Sequence, residues 1–517
     1  MAAEAGELSE APERDEDICA REQIHLVGAI QPHGLVIGLD AATLRLVTRS
    51  ANADALFPGT PLAEIPVWLP PQAISFCRRM VEDGRPECSF ITEIDGIGAT
   101  ELHCFIGGGT VFCEFELMVG VPLHPVAADS LTIVTTALDS LESANTIETL
   151  SARLSVAFQA LSGFERVMVW RFDADGSGEV IGESHVAGWD QSFLGLHCPA
   201  SDVPVPVRQL YRRNRSRWMP TRNYQPVPLV PLLDPREQPF DLSLSRFRSV
   251  SPTHLLYQAN IGADGAVSLS ILQDGALWGL VIAHHRHPHR LPGATRDQID
   301  LLVRAFALRM EALLQRQAAA KLAKDMGTYA KFLIKLAAAE DFPGALTEGR
   351  PNVRDLFSNS AGAAVVWDEE GRRRFRSLGN VPSRDDMVEL TTWLHAEGKG
   401  PVFATDCLAE HFPHILAYGE MSCGVLAILF EDTRNATLLL FRPEWVQTVS
   451  WAGKPEKLAG PDGVLNLPRQ SFDRWTEIHR GHSIPWQSEE LDLALTLCST
   501  INQVILRHNQ ASATLIL

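Results

Sequence analysis

Between Gly195 and Pro206 the chain reads GLHCPASDVPVP, with Ser201 and Asp202 held between prolines. Proline fixes its own φ and drives the residue before it out of the helical region, so this stretch is a stiff, non-helical loop that can hold a carboxylate in one place. Taken alone, Ser and Asp beside proline mostly close turns. A second rigid turn, SVSPTHLLY at 249–257, offers His254 and Tyr257 one helical turn apart if a helix starts at its proline. An imidazole titrates near neutrality, which suits it to control of a proton equilibrium.

PASDVP, RSVSPTHLLY, LWGLVIAHH (277–285) and CAREQIHLVGAIQPHG (19–34) occur in this chain in one order and spacing. Together they resemble the bacterial phytochromes, red-light receptors that carry a bilin, and the resemblance runs over nearly the whole chain. It implies an α+β fold of three antiparallel-sheet domains joined by long helices. These are a PAS domain at 18–125 after a mobile tail at 1–17, a bilin-binding GAF domain at 126–320, and a PHY domain at 321–517 with a hairpin tongue at about 445–480.

The resemblance also assigns roles. Cys19, just upstream of a segment matching IHxxGxIQPHG, is the expected thioether link to biliverdin IXα, and Ile30 marks the segment threaded through a lasso. Arg217 and Arg248 match propionate clamps, a task that suits the planar fork of arginine. Tyr211 and Ser268 are the hydroxyls expected beside them, with Ser270 a further candidate. Asp202 matches the residue whose carbonyl accepts from the pyrrole N–H groups and whose side chain meets the tongue. His254 matches the histidine that holds the pyrrole water, with Tyr257 beside it, and His284 the partner of the terminal ring's carbonyl. Trp451 and the PRxSF residues Pro468, Arg469, Ser471 and Phe472 belong to the tongue. Three positions depart from the family: Trp170 stands where tyrosine is common, Cys198 replaces an aromatic residue, and Ala266 replaces a serine. Binding should survive these changes, while rotation of the terminal ring is expected to be slowed, made inefficient or biased; Cys198, in a stiff loop, reads as a small core residue rather than a second thioether.

The elements that must position these groups show in the patterning. From His33 to about Pro125, short apolar runs broken by Asp, Gly and Pro read as a half-buried antiparallel sheet. Residues 126–164 carry apolar residues at three- and four-residue spacing, a helical pattern running into the next domain. VMVWRF (167–172) and EVIGES (179–184) read as strands joined by DADGSG, which looks briefly like a calcium loop, but Ser184 stands where a bidentate Glu is needed. The Pro-rich connection between Tyr224 and Ser251 is too long to be idle in a compact domain. Thr295 and Gln298 form a candidate capping box for a helix over 299–339. Its stripe Ile299, Leu302, Phe306, Met310 and Leu313, with a C-terminal helix amphipathic through Leu491, Leu495, Ile501 and Ile505, predicts a homodimer interface.

Composition narrows the function. With 517 residues, 45% hydrophobic content and a formal net charge of −18, the chain is globular and a poor fit to a nucleic-acid partner. Its nine cysteines are odd in number, scattered and never CxxC, which favours reduced thiols over a disulfide framework or zinc. The acidic start and the lack of any long apolar run predict a cytoplasmic protein outside the membrane. The expected function is a red/far-red photosensory core, non-enzymatic in this chain, whose tongue and long helices signal to an output module. The alternatives are the sensor part of a light-regulated histidine kinase, of which no nucleotide-binding motif is seen, and a GAF module for another small ligand.

Overall fold

A computed structural model describes residues 23–95, 98–117, 122–189, 191–339, 341–369, 371–412, 422–430, 436–455, 458–459 and 465–514. The apolar runs of the first domain form strands β1 (Ala29–Ile30), β2 (Gly34–Asp40), β3 (Leu46–Ser50), β4 (Glu87–Ile94), β5 (Gly98–Gly107) and β6 (Thr110–Glu116); β2 and β6 are buried on both faces rather than half-buried as expected, because Phe240 and Phe247 of the next domain cover the side of Val36 and Phe112. Their sheet has the order β1-β11-β3-β2-β6-β5-β4, and its foreign member is β11 (Val227–Val230), from the Pro-rich connection of the next domain. Ile30 pairs with Val227 on one side. On the other side Gln31 N–H donates to Phe247 O at 2.7 Å, and Ser249 N–H donates to Ala29 O at 2.9 Å. The chain at 29–31 therefore runs between both limbs of the 227–249 loop, which is the expected threading. Ile30 is buried against Phe105, Phe112, Phe240 and Phe247. A Cβ at Gly34 would lie 2.3 Å from the Phe247 ring, so only glycine lets the ring wedge there.

The second sheet is built from β7 (Arg166–Phe172), β8 (Gly178–His185), β9 (His197–Cys198), β10 (Ser216–Met219), β12 (Gly265–Gln273) and β13 (Ala276–His285), in the order β10-β12-β13-β7-β8-β9. The β7–β8 turn closes on itself, with Asp175 Oδ1 accepting from Ser177 N–H (2.9 Å) and Oγ–H (2.7 Å), so it is a hairpin rather than a calcium loop. The helical pattern ahead of it is broken into Ser130–Glu142 and Ile147–Ser162, because Thr146 Oγ1 accepts from Thr149 N–H at 3.1 Å and caps the second helix.

The long helix spans Gly293–Ala337. It begins before the expected capping box, since Pro292 O already accepts from Arg296 N–H at 3.1 Å; Thr295 is buried with its hydroxyl unpartnered. The stripe Ile299, Leu302, Phe306, Met310 and Leu313 is buried within the single chain. It therefore cannot be the dimer surface. The large apolar residues left exposed on this helix are Leu301, Leu308, Leu322, Met326 and Ile334.

The described residues up to Leu313 form one compact unit together with Ser450–Trp475, and Leu314–Val449 with Thr476 onward form a second. The second unit carries a five-stranded sheet ordered β15-β14-β18-β17-β16, made of β14 (Gly362–Glu369), β15 (Arg372–Gly379), β16 (Val402–Thr405), β17 (Gly424–Leu429) and β18 (Thr437–Arg442). Helix Arg384–Ala396 packs on one face, and the final helix, Ser488–Thr514, on the other. That final helix buries Ala494, Leu497, Cys498 and Ile501, whereas Leu495 is exposed, so its buried stripe is rotated from the expected one; the side chain of Ile505 lies outside the described residues. Among the described residues no helix is long and apolar enough to cross a membrane.

Candidate functional site

The first proline stretch is not the wholly non-helical loop expected of Gly195–Pro206, because proline is accommodated in the first turn of a helix and Val205 and Pro206 already belong to one. Ala200–Asp202 is a single tight turn after Pro199, and a helix, Val205–Arg213, follows Pro204. Ser251 caps the helix Pro252–Asn260 by accepting from His254 N–H at 3.4 Å. These two segments stand over β10, β12, β13 and β7 and enclose a cleft of about 1430 Å³, part of it open to solvent. Trp170, Val203, Leu280 and Ile282 supply an apolar slot, and Asp202, Tyr211, Arg217, Arg248, His254, Tyr257, Ser268 and His284 all reach its wall.

The electrostatics of this cleft are those of a site short of negative charge. Arg217, opposite Ser268 in the β10–β12 register, donates through Nη2 to the carbonyls of Arg248 (2.7 Å) and Ser249 (2.9 Å), while its Nη1 has no partner. Arg248 donates through Nη1 to Ile24 O at 2.7 Å, and its Nε has no partner. Burial lowers the pKa of both guanidiniums, and Arg217 lowers that of Arg248 further. Among the described residues neither forms an ion pair with a carboxylate. Two desolvated cations side by side are costly unless an anion joins them.

The hydroxyls divide. Tyr211, its phenol pushed up by burial, hydrogen bonds Ser268 at the cleft. Ser270 does not reach it: two residues along the same strand face, its Oγ donates to Tyr211 O at 2.7 Å and is sealed under the helix end. Cys198 is likewise behind the wall. It is buried in a cluster with Trp170, Val203 and Phe472, and burial pushes its thiol up. The structure thus places Cys198 as a core residue and not as a cleft group.

Both histidines are held neutral. His284 is buried with neither ring nitrogen hydrogen-bonded, and burial, helped by Arg166 and His254, lowers it to about 3. His254 turns its exposed edge into the cleft, stacks on Tyr257 at 5.9 Å and has Gln258 Nε2 at 3.2 Å; burial and Arg217 lower it to about 4. Burial also takes His33 and His289 to about 4 and His103 to about 3. The four buried ones, His284, His33, His289 and His103, each contribute stability that is present above the unfolded value of 6.5 and is lost as pH falls towards the folded value. Glu114, pushed up to about 7 by burial, works in the opposite sense, losing its contribution as pH rises from 4.5 to 7. Four buried imidazoles against one carboxyl predict a lower urea midpoint for the bilin-free chain at pH 5 than at pH 7.5; an equal or higher midpoint would contradict the burial of these imidazoles.

The tongue closes the site. Arg469 Nε donates to Asp202 Oδ1 at 3.1 Å and Nη2 donates to Oδ2, in a bidentate pair whose side chains are 3% and 6% exposed. Burial pulls Arg469 down, but Asp202 outweighs it and the pKa is raised. Tyr257 Oη donates to Asp202 Oδ2 at 3.3 Å, and Asn260 Nδ2 donates to Arg469 O at 2.9 Å. Phe472 sets its ring edge-on to Tyr257 at 5.2 Å, and Pro468 lines the cleft. Strand β19 (Gln447–Ala452) adds to the second sheet beside β9, with Trp451 opposite His197. Ser471 is exposed and donates to Asp473 Oδ2 at 3.0 Å, away from the cleft.

Three groups at the cleft were given no role by the motifs. Gln258 Oε1 and Ser201 Oγ are buried without partners beside the cleft, and Ile24 lines it. Gln258 lies one turn after His254, so helical spacing could have found it. Cys19 lies outside the described residues.

Family models match the chain as a PAS fold at 19–64, a GAF domain at 146–314 and a phytochrome region at 327–510. A bacteriophytochrome of Xanthomonas campestris is 30% identical over 97% of this chain and 81% of its own length. One of Pseudomonas aeruginosa is 31% identical over 95% and 67%. Cyanobacterial phytochrome B of Nostoc is 31% identical over 95% of the chain, which spans 66% of that relative's length. Among solved structures, a bacteriophytochrome of R. palustris superposes with a TM-score of 0.75 at 30% identity, covering 95% of this chain and 99% of its own. The Stigmatella aurantiaca phytochrome photosensory core module gives 0.71 at 31% identity, covering 95% and 98%. A knotted PAS–GAF pair, a cleft walled by the two proline turns, a PHY tongue laid on it, and these likenesses lead to one conclusion: the chain belongs to the phytochromes, the red/far-red photoreceptors, and corresponds to their photosensory core.

Proposed function

We propose that the cleft holds biliverdin IXα, joined through a thioether to Cys19, and that light absorbed there is passed to the tongue. The observation that carries this reading is the pair of buried guanidiniums with unused N–H groups, which fits a ligand bearing two carboxylates. When bound, a bilin supplies visible absorption and a double bond that isomerises in light. Arg217 and Arg248 hold the propionates, with Tyr211 and Ser268 as neutral donors. His254 and Gln258 offer hydrogen-bonding groups towards the pyrroles, and His284 has a ring nitrogen to spare for the terminal ring. Trp170 narrows the slot next to that ring.

Cys19 precedes Ile24 by five residues, a reach of up to about 17 Å in extended chain, so its thiol is within range of the cleft. The bond forms by addition of S–H across a vinyl group, the proton going to carbon. Cys19→Ser should bind biliverdin and develop the visible absorbance, yet release the pigment on denaturation, whereas the parent chain retains it. Pigment that stays bound to denatured Cys19→Ser would overturn the assignment. Failure of the parent chain to develop any visible band with biliverdin would favour a GAF site for another small ligand. We further propose a homodimer through the exposed face of the long helix at Leu301, Leu308, Leu322 and Met326, feeding an output module such as a histidine kinase.

A further inference from the structure

The second unit brings together three side chains that its light-sensing role does not use. Cys407, Glu410 and His482 present a sulfur, a carboxylate oxygen and a ring nitrogen that all lie within 4.8 Å of one another. We propose that they form a zinc site at the root of the tongue, with water as the fourth ligand.

Several observations support the assignment. Ligand atoms around tetrahedral zinc lie about 3.3–3.8 Å apart, given bond lengths of about 2.0–2.3 Å. Closing from the present separations takes movements of about 1 Å, which the exposed side chains of Glu410 and His482 can make. His482 Nδ1 is 3.1 Å from Asp406 Oδ2, and a carboxylate on one ring nitrogen is what orients a histidine whose other nitrogen takes a metal. Charge also balances: a thiolate and a carboxylate neutralise Zn²⁺, and the imidazole stays neutral.

A second cluster, Cys77, Cys104 and Cys113, has sulfurs 3.5–3.9 Å apart in the core of the first sheet. Its spacing would suit zinc, but its charge and surroundings do not. Three thiolates would leave a net negative charge in an apolar, fully buried place, and the separations are those of thiols in ordinary contact.

The location gives the site a consequence. Trp445 N–H donates to His482 O, and Ser483 N–H donates to Asp406 O, both at 2.8 Å. These bonds tie together the backbone just before β19 and the backbone returning after β22 (Arg474–His479). A metal on Cys407, Glu410 and His482 would fasten the segment 406–410 to both roots of the tongue.

The test is titration of the full chain with Zn²⁺ by calorimetry and with Co²⁺ by difference absorbance against the same protein without metal. One ion per chain and a thiolate-to-cobalt charge-transfer band are expected. Cys407→Ser should abolish the band, and His482→Gln should weaken zinc binding by tenfold or more. Asp406→Asn should weaken it by about 10–100-fold, as for orienting carboxylates elsewhere, with Asp406→Glu restoring it. Cys104→Ser should change nothing. No stoichiometric binding, or a band that survives Cys407→Ser and is lost in Cys104→Ser, overturns the proposal. His482 is exposed, so its variant reports even if Cys407→Ser folds poorly.

Discussion

Arg248→Met should cut biliverdin affinity by at least about 30-fold while leaving the bilin-free chain as stable as before or more so. Losing one side of a buried, hydrogen-bonded charge pair costs about 2–5 kcal/mol, or roughly 30-fold to several thousandfold in Kd. In the bilin-free protein the sign reverses, because Arg248 is buried beside Arg217 and keeps an unpartnered Nε. Replacing a buried charge by an apolar chain of similar length is often neutral or stabilising by about 1–4 kcal/mol. The loss of its bond to Ile24 O offsets part of that. Urea unfolding of the bilin-free chain and biliverdin titration read the two effects separately. A variant that unfolds more easily yet binds as tightly would mean that the guanidinium serves the fold and not the ligand.

Arg469→Ala should release the tongue. Breaking a buried pair from one side costs about 3–5 kcal/mol, and Arg469 also donates to the carbonyls of Ala452 and Gly453. Amide exchange over 450–475 should therefore accelerate by two to three orders of magnitude, by the conversion of about 1.4 kcal/mol per decade. Asp202→Ala should do less, since it leaves those carbonyl bonds in place, and the double variant should cost clearly less than the sum of the two. With pigment bound, both variants should alter the lifetime of the light-generated state. Strict additivity would remove the Asp202–Arg469 contact from the mechanism. In the other light state Ser471, now facing solvent, is the proposed replacement partner if the tongue becomes helical.

Local chemistry was legible where proline or glycine dictated the backbone. The helix start at Pro252 and the β7–β8 hairpin follow from short-range rules, whereas the helix opening at Val205 was hidden by reading its prolines only as loop formers; the motifs pointed to Arg217, Arg248, His254 and His284, which share one cleft. What could not be read depends on which neighbour covers a side chain. Ser268 and Ser270 share a strand face and differ only in the helix end above Ser270. The stripe from Ile299 to Leu313 looked like an oligomer surface because periodicity reports an apolar face without naming its partner, and here the partner is the same chain. The depressed imidazoles are a property of burial, invisible in residue type.

The threading of residues 29–31 through the 227–249 loop also dictates a schedule. On the ribosome the loop's far limb emerges roughly 220 residues after Ile30, tens of seconds later at about 5–20 residues per second. Until then Ile30 has no place to go, and the Phe240–Phe247 limb that covers it does not exist. The first domain must therefore wait with an open seam, or the loop must close around a segment already laid down. Once closed, that loop can release the N-terminal segment only by opening itself, so a pull on the N-terminus should meet resistance from the second domain before the first sheet yields.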